Sequence, residues 1–235
     1  MMRLFKGKGI FNKNKATIIN SFNNYSNGDV MCNGHNMSVC GVQGSGITKT
    51  LNVDSKPFSR INIEAGVDVN FIISETSSIQ IIGDDNLVDL IELVFIDDAL
   101  DIGFRDCVMF STRQPMRINI SGPTLDRLNL NGSGDATVSN LRSKHFKLSL
   151  TGSGDVTIDG VTENAILKIS GSGDIKALDL STKMLEVNIS GSGNVKASAT
   201  VAAKIRVSGS GNVKVHGNPI EQSVKCSGSG NVKFK

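Results

Sequence analysis

Gly-Ser-Gly begins at Gly132, Gly152, Gly171, Gly191, Gly209 and Gly228, in steps of 20, 19, 20, 18 and 19 residues. Six returns at a nearly fixed period mark one supersecondary unit stacked on itself, not a solitary loop. Around each copy, apolar and polar residues alternate with period two, the pattern of a half-buried strand. Before the glycines, Leu128 and Leu130 correspond to Leu148 and Leu150, Leu167 and Ile169, Val187 and Ile189, Ile205 and Val207, and Val224 and Cys226. After them, Val156 and Ile158 correspond to Ile175 and Ala177, Val195 and Ala197, Val213 and Val215, and Val232 and Phe234.

Outward polar columns lie between the apolar ones. One is Asn129, Ser149, Lys168, Asn188, Arg206 and Lys225; the other is Thr137, Thr157, Lys176, Lys196, Lys214 and Lys233. The pattern predicts an all-β, single-stranded parallel β-helix, or β-solenoid, with coils of about 19–20 residues whose rungs pair about 4.8 Å apart. The apolar period excludes helices, and hairpin turns would vary from copy to copy. With 25 Gly, no Trp and 5% aromatics, the core is built from small aliphatics.

The glycines bend the chain between strands. The next residue is Asp135, Asp155, Asp174, Asn194, Asn212 and Asn231 in turn. Asp and Asn share turn-forming hydrogen bonds and tolerance of the left-handed region, whereas only Asp is charged. Their exchange midway favours a structural corner over a calcium array, whose period is nine residues with ligands on both sides of the ion. A phosphate loop would need a following Gly-Lys-Ser/Thr and a helix.

Upstream, short strands are expected at Arg60–Glu64, Val67–Ile73, Ile79–Ile82, Ile91–Ile96 and Ala99–Phe104, with a short helix competing at 89–96. No linker separates them from the coils. We expect one β-helix domain over 51–235, regular from about 126, preceded by an Asn-rich arm or irregular first coil over 1–50.

The succession "FSRINI", "GVDVNF", "IQIIGDDN", "DDALDI" and "INISGPTLDRLNLNGSG", followed by repeated "SGSGDV" and "SGSGNV", resembles the auto-transporter adhesin head GIN domain family, from about Phe58 to Lys235. The resemblance implies a right-handed parallel β-helix and a role in adhesion at the cell envelope or surface. It carries no catalytic or binding residue over to this chain.

Several function classes fall away. Twelve acids against three bases over 51–110 and fourteen bases against nine acids over 121–235 form no basic cluster with interleaved aromatics, so nucleic acid is not expected as a partner. No apolar run is long enough for a bilayer span, and no secretory signal is recognisable, which by itself points to the cytoplasm. Cys32, Cys40, Cys107 and Cys226 make no zinc spacing; only Cys32 and Cys40 could pair, and Cys226 reads as a small buried hydrophobe. His35, His145 and His216 have no nucleophile singled out beside them and read as exposed polar residues. No insertion walls a cleft, and the hexapeptide pattern of acyltransferase solenoids is missing. No catalytic residue, metal ligand or cofactor is expected.

What remains is a non-catalytic structural or adhesion module acting through its surface. Lys176, Lys196, Lys214 and Lys233, stacked and mutually repelling, are the candidate stripe for an acidic polymer or a glycan; lysines that keep a flat sheet soluble are the competing reading. The alternative is a self-assembling scaffold or filament subunit. In that reading the final strand in "GSGNVKFK" offers an uncapped end, and copies associate through solenoid ends or the N-terminal arm.

Overall fold

Inward columns of Val, Ile and Leu can be dry only if each coil lies on the next in register, and the pairing does this. In the computed structural model, which describes residues 42–104 and 110–235 and the backbone of Thr17–Ile18, Leu128 pairs in parallel with Leu148, Leu148 with Leu167, Leu167 with Val187, Val187 with Ile205 and Ile205 with Val224. A second face carries Val156, Ile175, Val195, Val213 and Val232 in the same way. All of these are buried except Val224 and Val232, which lie on the last coil. The chain is a right-handed parallel β-solenoid, the hand that parallel crossovers within a sheet nearly always take.

Ala136–Gly152 and Val156–Gly171 run as continuous strands of 17 and 16 residues, each most of a coil. They bend without breaking at Asn140 and Gly160, both at positive φ, and so continue onto a third face. That face stacks Phe146 on Ala165, Leu185 and Ala203, and buries Thr162 and Thr182. Buried hydroxyls need partners, and Thr182 Oγ1 donates to the carbonyl of Ser198 at 2.6 Å.

The Gly-Ser-Gly corner is required by close approach as much as by torsion angle. Gly171 has φ +157, and a Cβ on it would lie 2.2 Å from the Gly152 carbonyl oxygen of the coil before. Gly173 has no positive φ of that kind, yet a Cβ there would lie 1.9 Å from the Gly154 oxygen. The Gly152 carbonyl accepts both the Ser172 N–H (2.9 Å) and the Gly173 N–H (3.3 Å), and the same bond pair recurs at neighbouring corners. Two bare glycines let successive backbones touch here.

The upstream half uses the same columns by a different route. Its strands form at Arg60–Ile63, Asp68–Ile73, Ser78–Asp84, Ile91–Ile96 and Ala99–Phe104, close to the expected bounds, with a 3-10 turn at Val88–Leu90 where helix competed. Chain order is not spatial order. Ile61 lies between Leu100 and Leu128, and Val69 between Ile118 and Ala136, so residues 60–73 are a rung threaded between two later ones. Beyond them the chain reverses: Ser78–Asp84 runs antiparallel to Arg117–Gly122, and Thr48–Val53 antiparallel to Ser78–Asp84. On the other face Ile91–Ile96 runs antiparallel to Ala99–Phe104, and Thr17–Ile18 to Val94 and Phe95.

Asp84 ties this end together. It is buried, and its carboxylate accepts the backbone N–H groups of Gly46 (2.7 Å), Arg113 (2.9 Å) and Gln114 (3.1 Å). Burial alone would raise its pKa; the three N–H donors and the Arg113 charge outweigh it and hold the carboxyl below its ordinary value.

Two single-residue expectations need correction. Cys226 keeps its inward register opposite Val207 but is exposed, because the described residues cover its coil on one side only; its thiol donates to the Gly230 carbonyl. His145 is exposed and shares a contact with Asn164, whereas His216 is half-buried, with Nε2 shielded and unpartnered. Cys32, Cys40, Cys107, His35 and most of the expected arm lie outside the described residues. No described helix is long and apolar enough to cross a membrane.

Candidate functional site

The residue after each corner sets the local chemistry. Side chains at this position do not close local turns; they reach the coil that follows. Asp68 Oδ1 accepts the Asp135 N–H, Asp135 Oδ1 the Asp155 N–H, Asp155 Oδ1 the Asp174 N–H, Asp174 Oδ1 the Asn194 N–H and Asn194 Oδ1 the Asn212 N–H, all at 2.8–3.1 Å. A carboxylate and an amide carbonyl serve equally as that acceptor. The ladder therefore runs unbroken through the change from Asp to Asn.

Two residues further on stands the outward column of the second face. Register brings Lys176, Lys196, Lys214 and Lys233 together, one per coil, with Lys214 half-buried and the others exposed. Each lysine faces the ladder residue of the coil before. Lys176 Nζ bonds Asp155 Oδ2 at 2.9 Å; the carboxylate raises the lysine's pKa, and the lysine, with the Asp174 N–H, lowers that of Asp155. At the same offset Lys214 meets Asn194 and Lys233 meets Asn212, neither of which carries charge. Lys196 meets Asp174, whose Oδ1 already accepts both the backbone N–H and the side-chain Nδ2 of Asn194, and no ion pair forms. The change to Asn keeps the coil's hydrogen bond and removes the carboxylate opposite Lys214 and Lys233; these two and Lys196 have no ion-pair partner among the described residues. A shallow groove of about 350 Å³ runs between the two columns, from Asp174 to Lys233.

The first face differs. Its column also ends in cations, Lys168, Arg206 and Lys225, but Asn188 interrupts it and Arg206 pairs with Glu186 at 3.4 Å. Among the described residues no three His, Cys, Asp or Glu side chains converge as a metal site would require.

Followed toward the other end, the lysine column continues into residues that carry no periodic repeat. Lys176 lies beside Thr157, then come Thr137, Asn70, Asn119, Gln80 and Asn52. Asn70 donates to Asn119 (3.0 Å), Asn119 to Gln80 (3.4 Å) and Gln80 to Asn52 (3.2 Å). This amide ladder floors a groove of about 670 Å³. Each member is the polar residue between two apolar ones, in "LNV", "IQI", "INI" and "VNF". That was the available signal, and its scrambled chain order hid the column.

A putative adhesin from Bacteroides fragilis is similar at 26% identity, with a TM-score of 0.70 over 83% of this chain and 100% of that one. Two Parabacteroides distasonis structures share the fold: a putative lipid binding protein (21% identity, TM-score 0.51, 82% of this chain and 99% of that one) and a putative adhesin (20%, 0.51, 83% and 100%). No curated protein matches the sequence. The family model described as "Putative auto-transporter adhesin, head GIN domain" matches residues 57–219, and the chain belongs to that family.

Proposed function

We propose that this protein is a non-catalytic recognition module of the adhesin type, which holds an anionic polymer along the lysine column of its second face. The observation that carries the reading is the exchange of Asp for Asn in the corner ladder. The backbone N–H of the next coil requires only an acceptor there; the Asn side chains add a donation to the ladder residue before, Asn194 to Asp174 and Asn212 to Asn194, both at 2.9 Å, and the exchange removes the negative charge beside Lys214 and Lys233. Lysines that served only to keep the sheet soluble would lose nothing by being paired. Stacked like charges about 4.8 Å apart repel, and a polyanion laid along the axis relieves that repulsion by replacing small counterions. The adhesin descriptions of the family and of the Bacteroides fragilis relative accord with display at the cell envelope.

The test is retention on immobilised heparin. The Lys176→Ser, Lys196→Ser, Lys214→Ser, Lys233→Ser variant is expected to elute at markedly lower salt than the wild type while keeping its circular dichroism. Elution of both at the same salt would overturn the reading.

A further inference from the structure

We infer that the amide-floored groove at the opposite end of the same column is a subsite for an uncharged stretch of a linear glycan, continuous with the lysine stripe. The inference rests on the recognition reading above and adds to it the class of polymer and the part of the chain that would read it.

The lining of the groove bears on the ligand. The groove floor is a row of four amides, Asn52, Gln80, Asn119 and Asn70, each joined to the next by one hydrogen bond. A primary amide has two N–H donors and two acceptor lone pairs, so each keeps donor and acceptor capacity toward the groove. Hydroxyls flank the floor, with Ser78 and Ser121 in mutual contact at 2.9 Å. A ligand matching such a surface carries many groups that both donate and accept, as a sugar hydroxyl does.

The geometry also disfavours other polymers. The strands beneath the groove, Asp68–Ile73, Arg117–Gly122 and Ser78–Asp84, each have a hydrogen-bonded neighbour on both sides. A peptide strand could add only at the rim, where Thr48–Val53 carries Asn52 and pairs on one side. The ring that lines the groove, Phe71, is 3% exposed, so no face is offered for stacking a nucleobase. Asp54, exposed on the rim, repels anionic groups here, whereas the lysines attract them at the far end.

Spacing supplies the last argument. The column presents one side chain per rung, about every 4.8 Å, close to the length of one pyranose unit in an extended chain. A linear glycan lying along the axis would place one sugar over each rung, from the amides across Thr137 and Thr157 to the lysines. Amides would select by hydroxyl pattern, and lysines would hold the acidic sugars.

Affinity electrophoresis tests this with the full chain in gels cast with soluble linear polysaccharides: a glucan, a mannan, a xylan and polygalacturonate. The wild type is expected to be retarded by at least one neutral polymer as well as by polygalacturonate. Asn70→Ala with Asn119→Ala removes two floor amides and is expected to weaken neutral-polymer binding about tenfold or more. Ser77→Trp blocks the groove from an exposed rim position and should give the same loss without touching the ladder. The fourfold lysine variant should lose polygalacturonate retardation and keep the neutral one. Absence of neutral-polymer retardation in the wild type, or unchanged retardation in Ser77→Trp, overturns the groove proposal. Polygalacturonate retardation that survives in the lysine variant counts instead against the stripe.

Discussion

The regular coils and the woven N-terminal half build the same two sheet faces by opposite means. From Gly132 onward each rung is covered by the next stretch of chain, so contacts are close in sequence and every corner repeats one solution. Upstream, residues 60–73 are covered on one side by 99–104 and 117–122 and on the other by 127–139, and antiparallel strands close the end. A column of side chains records register in space, whereas a sequence repeat records it only when space and chain run in the same order. Stability should differ accordingly: distributed over identical corners in the coils, concentrated in a few long-range ties in the woven half.

The largest effect is expected where one side chain makes such a tie. Asp84→Ala would strand the N–H groups of Gly46, Arg113 and Gln114. Hydrogen exchange should show lost protection in 42–47 and 110–114 while the coils past Gly132 stay protected; uniform loss would mean the two regions unfold as one. Acid has the same target. The folded-state pKa of Asp84 is lowered, so its contribution is complete above the ordinary carboxylate pKa and disappears as pH falls through the lower folded value. Loss of protection on acidification should begin around Asp84.

Next come the corners. Gly173→Ala drives a Cβ against the Gly154 oxygen. Overpacking against backbone costs about 1–3 kcal/mol, a fall in Tm of roughly 2–12 °C for a chain of this size. Gly66 is the control from the other region: a Cβ there would meet only the Ser133 hydroxyl, at 3.2 Å, and that side chain can turn away. Equal losses at both sites would refute the distinction.

The ladder itself gives a smaller effect. Asp174→Ala removes the acceptor of two Asn194 donors, at a cost of about 1–2 kcal/mol, whereas Asp174→Asn keeps an acceptor and should melt within about 0.5 kcal/mol of wild type. Smallest is the Lys176–Asp155 pair. Asp155 has a lowered pKa in the fold, so the pair stabilises above the ordinary carboxylate pKa and is lost as pH falls through the folded value. Both side chains are more than a third exposed, so screening keeps the contribution to about 0.5 kcal/mol or less. A comparison of Asp155→Asn with wild type at pH 7 and pH 3 checks it.

This contrast also explains what could be read in advance. The coil period, the inward columns and the lysine stripe stood in the sequence because each is a repeat of local order. The partner of Asp155 was not legible, since nothing local says that its oxygen meets the N–H of Asp174 in the next coil. The amide groove was hidden for the same reason: Asn52, Gln80, Asn119 and Asn70 become neighbours only after the chain has been threaded out of order. Cys226 fits the inward pattern yet is exposed, because period reports which way a side chain faces and not whether another coil covers it.

The most direct measurement of the central claim puts the charge back. In the Asn194→Asp, Asn212→Asp variant each ladder position keeps an acceptor for the next N–H, as Asp135 and Asp155 do upstream, and loses only the two amide donations to the ladder residue before, while Lys214 and Lys233 gain the carboxylate that Lys176 already has. The account predicts a folded protein with only a modest change in Tm that leaves immobilised heparin at clearly lower salt than the wild type. A folded variant that elutes at the same salt, or one that fails to fold, would contradict it.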